Sequence, residues 1–137
     1  MIVFFDTSVH IAILRGDLSL ESSLGSINGT VRMSPVVASE LLRGAKGNAR
    51  RTVKQLIDHL VPLEPPSWRR LWLEAGAVLR DVFADHEAVG LAQLQNDCLL
   101  ALTAQRTGAL LVTLDGHFTQ LRRHRSFPLR LVAHEAR

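Results

Sequence analysis

The sequence predicts an α/β protein, specifically a three-layer α/β/α sandwich around a central, mainly parallel sheet. Short apolar runs that suit buried strands lie near both ends of the chain, at 2–5 and 109–114. Helical patterns separate them, and strands that alternate with helices are typical of parallel sheets covered on both faces. With 137 residues, 47% of them hydrophobic, we expect residues 1–137 to form a single domain.

Capping and turn residues divide the first half of the chain into short elements. Ser34 before Pro35 is a strong helix start, because Ser caps a helix and Pro suits its first position. The run Asp6-Thr7-Ser8 offers another cap, and Gly16 ends the helix that follows it. The elements predicted here are a strand over 2–5, helices over 9–14 and 18–27, a strand over 30–33 and a helix over 35–44.

Proline and glycine divide the second half in the same way. Residues 62–66, with a proline at each end, interrupt the helical pattern, and Gly108 ends a helix before the second buried strand. Asn96 is predicted to cap that helix. The elements predicted here are helices over 47–59, 67–84 and 96–107, and strands over 109–114 and 129–132.

Charge is arranged in blocks along the chain. The net charge is +3, and 14 of the 16 cationic residues are Arg, which suits bidentate contacts with phosphate. Basic blocks beside acidic ones are compatible with a nucleic-acid track that leads to an acidic metal site. The candidates for RNA contact are Arg43, Arg50, Arg51 and Lys54, which equally suit the solvated face of a helix.

The N-terminal run and the single cysteine indicate a cytoplasmic protein. The apolar run 1–5 is stopped by Asp6 and has no basic segment before it, so we expect no signal peptide. Cys98 cannot form an intramolecular disulfide. No apolar run approaches the roughly 20 residues of a membrane helix, so we expect no membrane association.

Two predicted strands end in an aspartate. Asp6 follows Phe4-Phe5, and Asp115 follows Thr113-Leu114. Parallel strands bring their carboxyl ends to the same edge of a sheet, where ligands bind in open α/β folds. Each residue alone also suits a local structural role, Asp6 as a helix cap and Asp115 as the start of a turn. Together they predict an acidic site.

Two further acids lie on predicted core-facing helix stripes. Glu40 shares a face with Val36 and Val37, and Asp97 shares one with Leu100. Each also has a simpler interpretation. Glu40 could form an ion pair with Arg43, and Asp97 could be a favourable acid in the first turn of its helix. A buried carboxylate is costly unless it is paired, protonated or bound to metal.

Oxygen ligands without Cys or His pairs favour Mg²⁺ or Mn²⁺ over zinc. The acids predicted to bind the ion and to act in catalysis are Asp6, Glu40, Asp97 and Asp115. Other motifs are absent: the sequence has no Gly-rich nucleotide loop, no H-E-x-x-H and no G-x-S-x-G.

Four segments carry a family resemblance over nearly the whole chain, in order and with the usual spacings. They are Ile2-Val3-Phe4-Phe5-Asp6-Thr7-Ser8-Val9, Ser34-Pro35-Val36-Val37-Ala38-Ser39-Glu40-Leu41-Leu42, Asn96-Asp97-Cys98-Leu99-Leu100-Ala101-Leu102-Thr103-Ala104 and Leu111-Val112-Thr113-Leu114-Asp115-Gly116-His117-Phe118. Together they resemble the PIN-domain family, specifically its VapC-like toxins. The resemblance implies a PIN-like three-layer fold and a Mg²⁺- or Mn²⁺-dependent endoribonuclease that acts as the toxin of a toxin–antitoxin pair. Such a toxin is expected to form homodimers and to be silenced by a cognate antitoxin.

The resemblance also ranks the site residues. It makes Asp6 and Asp97 the surest metal ligands, and it assigns hydroxyls at Thr7 or Ser8 and at Thr113 to orient water or phosphate. It also includes one departure: many relatives carry an acid two residues after the last Asp, whereas this chain has His117. A fifth carboxylate is therefore missing, and the number or affinity of metal ions is expected to differ.

Two other functions are compatible with the residues. One is a non-catalytic RNA-binding or partner-binding domain, which would bind RNA in a salt-sensitive way without needing Asp6. The other is a different metal-dependent phosphoesterase or a DNA nuclease.

Overall fold

The computed structural model describes residues 1–83, 85 and 90–133, and in it a parallel sheet lies between two layers of helices, as predicted. The strands are β1 (Ile2–Phe5), β2 (Thr30–Arg32), β3 (Leu110–Thr113) and β4 (Leu129–Leu131). Their spatial order is β2-β1-β3-β4, and all neighbours are parallel. The chain passes from β1 to β2 on one side and later to β3 on the other. The carboxyl ends of β1 and β3 therefore form the switch point at which such sheets bind ligands.

Side-chain caps define the start of most helices in the described part of the chain. The helices are α1 (Thr7–Leu14), α2 (Leu20–Leu24), α3 (Pro35–Gly44), α4 (Ala49–His59), α5 (Trp68–Val82), α6 (Leu91–Thr107) and α7 (Phe118–His124). Asp6, Ser19, Ser34 and Ser67 accept backbone N–H groups at the starts of α1, α2, α3 and α5. The predicted caps at Asp6 and Ser34 are thus confirmed.

Two predicted helices have the wrong bounds, and one helix was missed. Asn96 lies inside α6, which begins five residues earlier, after Gly90, with no side-chain cap. Helix α2 is shorter than the predicted 18–27, because the chain turns at Gly25 with a positive φ of 61°. Helix α7 was not predicted. Residue 84, the predicted end of α5, lies outside the described residues.

Alternate residues of β1, one of the two central strands, pack on opposite faces of the sheet. Phe4 belongs to a large core with α3, α5 and α6, while Val3 and Phe5 belong to a smaller one with α1. All three are at most 1% exposed, so β1 is buried on both faces, as predicted. The two cores hold the end of β1 between them. None of the helices described is long and apolar enough to cross a membrane.

Candidate active site

A cavity of about 240 Å³ opens at the carboxyl edge of the sheet, beside the ends of β1 and β3. All four predicted acids line it, namely Asp6, Glu40, Asp97 and Asp115. The first three are buried, whereas the side chain of Asp115 is 46% exposed. Four residues that are far apart in the sequence thus meet at the switch point of the sheet.

Asp6 both caps α1 and faces this cavity. Its Oδ1 accepts the Val9 N–H at 3.2 Å and the Ser8 hydroxyl at 2.6 Å, and its Oδ2 accepts the Thr113 hydroxyl at 2.5 Å. Burial raises the pKa of Asp6, these hydrogen bonds lower it, and the charge of Asp97 raises it again. The capping role and the place in the acidic site are therefore compatible.

Thr113 joins the ends of the two central strands. Its hydroxyl donates to Asp6 and accepts the backbone N–H of Asp115 at 3.0 Å. The side chain is fully buried. One hydroxyl therefore fixes both the carboxylate that follows β1 and the turn that follows β3.

Glu40 reaches the cavity from α3. The Thr7 hydroxyl donates to its Oε1 at 2.9 Å. No ion pair with Arg43 forms in the described structure, and Arg43 is exposed. The three hydroxyls predicted to orient water or phosphate, on Thr7, Ser8 and Thr113, thus hold carboxylates in this structure.

Asp97 lies on α6 and is held from two sides. Gln93 donates to its Oδ1 at 3.2 Å, and the His117 Nε2 lies 2.7 Å from its Oδ2. Burial raises the pKa of Asp97, the interactions with His117 lower it, and the charge of Asp115 raises it. Both oxygens of this buried acid are therefore engaged.

The ring of His117 also contacts Asp115, with 2.7 Å between Nδ1 and Oδ2. The hydrogen bond to Asp97 is the main cause that raises the pKa of His117 to about 9, against the opposing effect of burial; Asp115 adds to the rise. At neutral pH the imidazole is therefore the protonated partner of two carboxylates.

Sequence reasoning missed Gln93 and the bridging position of His117. Gln93 was missed because α6 was expected to start at Asn96. A helix that starts at Leu91 places Gln93 one turn before Asp97 on the same face. The contact between His117 and Asp97 spans 20 positions, and no local pattern indicates it.

The donor chemistry of the cavity fits a hard divalent cation. The buried acids Asp6 and Asp97 present carboxylate oxygens, and the charge of Asp97 raises the pKa of Asp6. Within the described ranges, no group of three His, Cys, Asp or Glu side chains has the arrangement of a metal site. Mg²⁺ commonly keeps several waters and takes one or two carboxylates, so this pair fits it.

A second, mostly apolar groove of about 300 Å³ adjoins the cavity and is formed by α1, α3 and α4. Ile11 and Glu40 line both. The predicted RNA contacts Arg43, Arg50, Arg51 and Lys54 are all exposed on α3 and α4. Basic side chains thus lie on the helices that carry this groove.

Comparison with known proteins bears on the fold of this chain. The sequence model of the PIN domain matches residues 3–124. A structure of VapBC-1 from nontypeable Haemophilus influenzae is similar with a TM-score of 0.62 and 18% identity, covering 96% of this chain and 98% of the other. A structure of VapBC2 from Rickettsia felis, bound to a DNA fragment from their promoter, has a TM-score of 0.57 and 19% identity, with the same coverage. No curated protein sequence matches this chain.

Proposed function

This chain belongs to the PIN-domain family, and we propose that it is a metal-dependent endoribonuclease, the toxin of a toxin–antitoxin pair. The observation that carries the proposal is the meeting of four acids in one cavity at the switch point of the sheet. The likeness to two VapBC structures supports the toxin role and a cognate antitoxin as partner. Since RNA is the proposed substrate, we expect the protein to act in the cytoplasm.

Asp6 and Asp97 are the residues that would hold Mg²⁺ or Mn²⁺, with Glu40 and Asp115 in support. When bound, the ion supplies polarisation of a phosphate oxygen, a water of lowered pKa and compensation of charge in an in-line displacement. The side chains around it orient these acids. Ser8 and Thr113 hold Asp6, and Gln93 holds Asp97.

Glu40 is the acid we assign to the attacking water. Thr7 holds its Oε1, which turns the carboxylate toward the cavity that Glu40 lines. Its Oε2 would accept a proton from the water, whose oxygen bonds to phosphorus as the bond between phosphorus and the leaving ribose oxygen breaks. The leaving oxygen takes a proton from solvent.

The neighbouring groove and helix α4 suit the two proposed macromolecular partners. Exposed Arg50, Arg51 and Lys54 on α4, with Arg43 on α3, would guide RNA toward the acidic cavity. The apolar groove beside Ile11 and Glu40 would receive a segment of the antitoxin.

We also propose a homodimer, for which light scattering would give twice the mass of one chain.

The test is incubation of the purified protein with RNA, with single-stranded DNA and with a small phosphomonoester, each with Mg²⁺, Mn²⁺ or EDTA. We expect RNA alone to be cut, and only with metal. Asp6→Asn and Asp97→Asn should abolish cleavage and remain folded. Asp58→Asn is the matched control, because it removes an exposed acid of α4 and should cut as the wild type does.

The other functions give distinct outcomes in the same assay. Salt-sensitive RNA binding that persists in Asp6→Asn, without cleavage by the wild type, would indicate a non-catalytic binding domain. Hydrolysis of DNA or of the phosphomonoester would indicate a different phosphoesterase. RNA cleavage that survives EDTA would overturn the metal mechanism.

A further inference from the structure

The side chain of His117 is inserted between two acids of the cavity. Its Nε2 lies 2.7 Å from Asp97 Oδ2, and its Nδ1 lies 2.7 Å from Asp115 Oδ2. The backbone N–H of His117 also donates to Asp115 Oδ1 at 3.1 Å. Both oxygens of Asp115 are therefore directed at residue 117, and both ring nitrogens of His117 are directed at carboxylates.

Aromatic contacts fix the ring in this position. It stacks on Phe118 with 5.2 Å between ring centroids and 16° between planes. It also contacts Phe83 edge-on, at 6.2 Å and 76°. The side chain of His117 is 29% exposed, so the ring is mostly covered by these neighbours.

The two acids that His117 joins differ in their surroundings. The side chain of Asp97 is 4% exposed, whereas that of Asp115 is 46% exposed. A carboxylate on the solvent side of an imidazole orients the ring and fixes its protons, as partners of ligand histidines do in metal sites. Asp115 lies on the solvent side of the His117 ring, and Asp97 lies on its buried side.

We propose that His117 is a positioning residue for Asp97, and that Asp115 anchors its ring instead of binding the metal. This inference rests on the proposed function and narrows it: the ion belongs to Asp6 and Asp97. Because the ring occupies Asp97 Oδ2, it also competes with a cation for that oxygen. Loss of the ring should therefore strengthen metal binding while it weakens cleavage.

The test is titration of the metal-free protein with Mn²⁺, followed by the electron paramagnetic resonance signal of free Mn²⁺. The variants are Asp6→Asn, Asp97→Asn, Asp115→Asn and His117→Ala, with His59→Ala as control because His59 is exposed at the end of α4. His117→Phe is added because it keeps the ring packing on Phe118 and removes the hydrogen bonds.

Loss of a residue that only supports a metal ligand weakens metal binding by roughly 10–100-fold. We expect Asp6→Asn and Asp97→Asn to weaken Mn²⁺ binding by more than this. Asp115→Asn should stay within about 3-fold of the wild type. His117→Ala and His117→Phe should bind Mn²⁺ about 10-fold more tightly, because the ring nitrogen that occupies Asp97 Oδ2 is lost, and should cut RNA about 10–100-fold more slowly. A ring with only a packing role would not tighten metal binding in the Phe variant.

The inference and the proposed function fail in different ways. If Asp115→Asn weakens Mn²⁺ binding as much as Asp97→Asn does, or if both His117 variants weaken it, the inference is wrong and the metal mechanism stands. If Asp6→Asn and Asp97→Asn bind Mn²⁺ as the wild type does, the proposed metal site is wrong, and the inference with it.

Discussion

The two ends of the acidic cavity hold their carboxylates in different ways. At one end, Asp6 accepts hydrogen bonds from neutral donors, the hydroxyls of Ser8 and Thr113 and the backbone N–H of Val9. At the other end, the imidazole of His117 joins Asp97 to a second acid and has a pKa raised to about 9.

This difference separates orientation from charge compensation. Neutral donors fix the direction of a carboxylate but leave its negative charge uncompensated, as at the Asp6 end. At the His117 end, both oxygens of Asp115 are directed at residue 117, so this acid is already paired within the protein. The contrast teaches that acids lining one cavity need not be equivalent ligands.

The largest expected effect is at the Asp6 end. Asp6→Asn keeps an oxygen that can accept the Val9 N–H, so the cap of α1 should survive. Cleavage should fall by more than the ~100-fold typical of a supporting residue, and further than in Asp115→Asn. Single-turnover kinetics measure the loss of cleavage, and a melting curve shows whether the cap of α1 survives. Equal losses in the two variants would remove the contrast between the two ends.

Thr113→Val should come next, because it removes the hydroxyl that holds Asp6 while it preserves shape. The buried Oδ2 of Asp6 then loses its donor, which should cost about 1–3 kcal/mol in the free energy of unfolding. Cleavage should fall by about 10–100-fold. Urea denaturation and cleavage rates are the measurements, and Thr113→Ser should restore both. If Thr113→Val changes neither stability nor cleavage, Ser8 and the Val9 N–H suffice to orient Asp6.

Gln93→Leu should have a smaller effect, since His117 still holds the other oxygen of Asp97. We expect a loss in cleavage of at most about 10-fold. The change in unfolding free energy should stay within about 0.5 kcal/mol, as for most exposed positions. Rates at saturating RNA and a urea titration measure these effects. A loss as large as that of Asp97→Asn would show that Gln93 contacts the substrate.

The smallest effect on cleavage is expected at His10, which lies on α1 but does not line the acidic cavity. Its ring packs on Phe5 at 5.3 Å, and within the described ranges its Nε2 is buried without a hydrogen-bond partner. Burial lowers the pKa of His10 from 6.5 to about 4. The folded state therefore binds fewer protons than the unfolded state between these values.

Stability should accordingly fall as the pH falls from 6.5 toward 4, by up to about 3 kcal/mol from His10 alone. His10→Leu should flatten this part of the stability profile and leave cleavage at pH 7.5 unchanged. Urea denaturation at a series of pH values provides the check. If the unfolding free energy of His10→Leu falls with pH as steeply as that of the wild type, groups other than His10 cause the pH dependence.

Much of the fold and part of the site could be predicted from local patterns. Asp6 and Asp115 were found because each follows an apolar run that is buried as a strand. Glu40 and Asp97 were found because they interrupt apolar helix stripes, and both are buried in the structure. These signals depend on the period of side chains along a strand or a helix, which a sequence displays directly.

The rest depends on contacts that have no local signature. The predicted start of α6 was wrong because no side chain caps the real one. The polar Asn96 was the nearest residue that could have served as a helix cap. That error concealed Gln93. His117 was recognised as unusual, but its place depends on how the turn after β3 packs against α6. A seven-residue helix such as α7 is too short for its periodicity to stand out.

The hydrogen bond from Thr113 to Asp6 has a consequence for protein synthesis. The two residues are 107 positions apart in the sequence. Asp6 is therefore synthesised early, whereas Thr113, the donor to its Oδ2, is added only near the end of translation. Until the ribosome has released β3, neither the Oδ2 contact nor the switch point of the sheet exists. A nascent chain therefore lacks the assembled acidic cavity, which is complete only in the finished molecule.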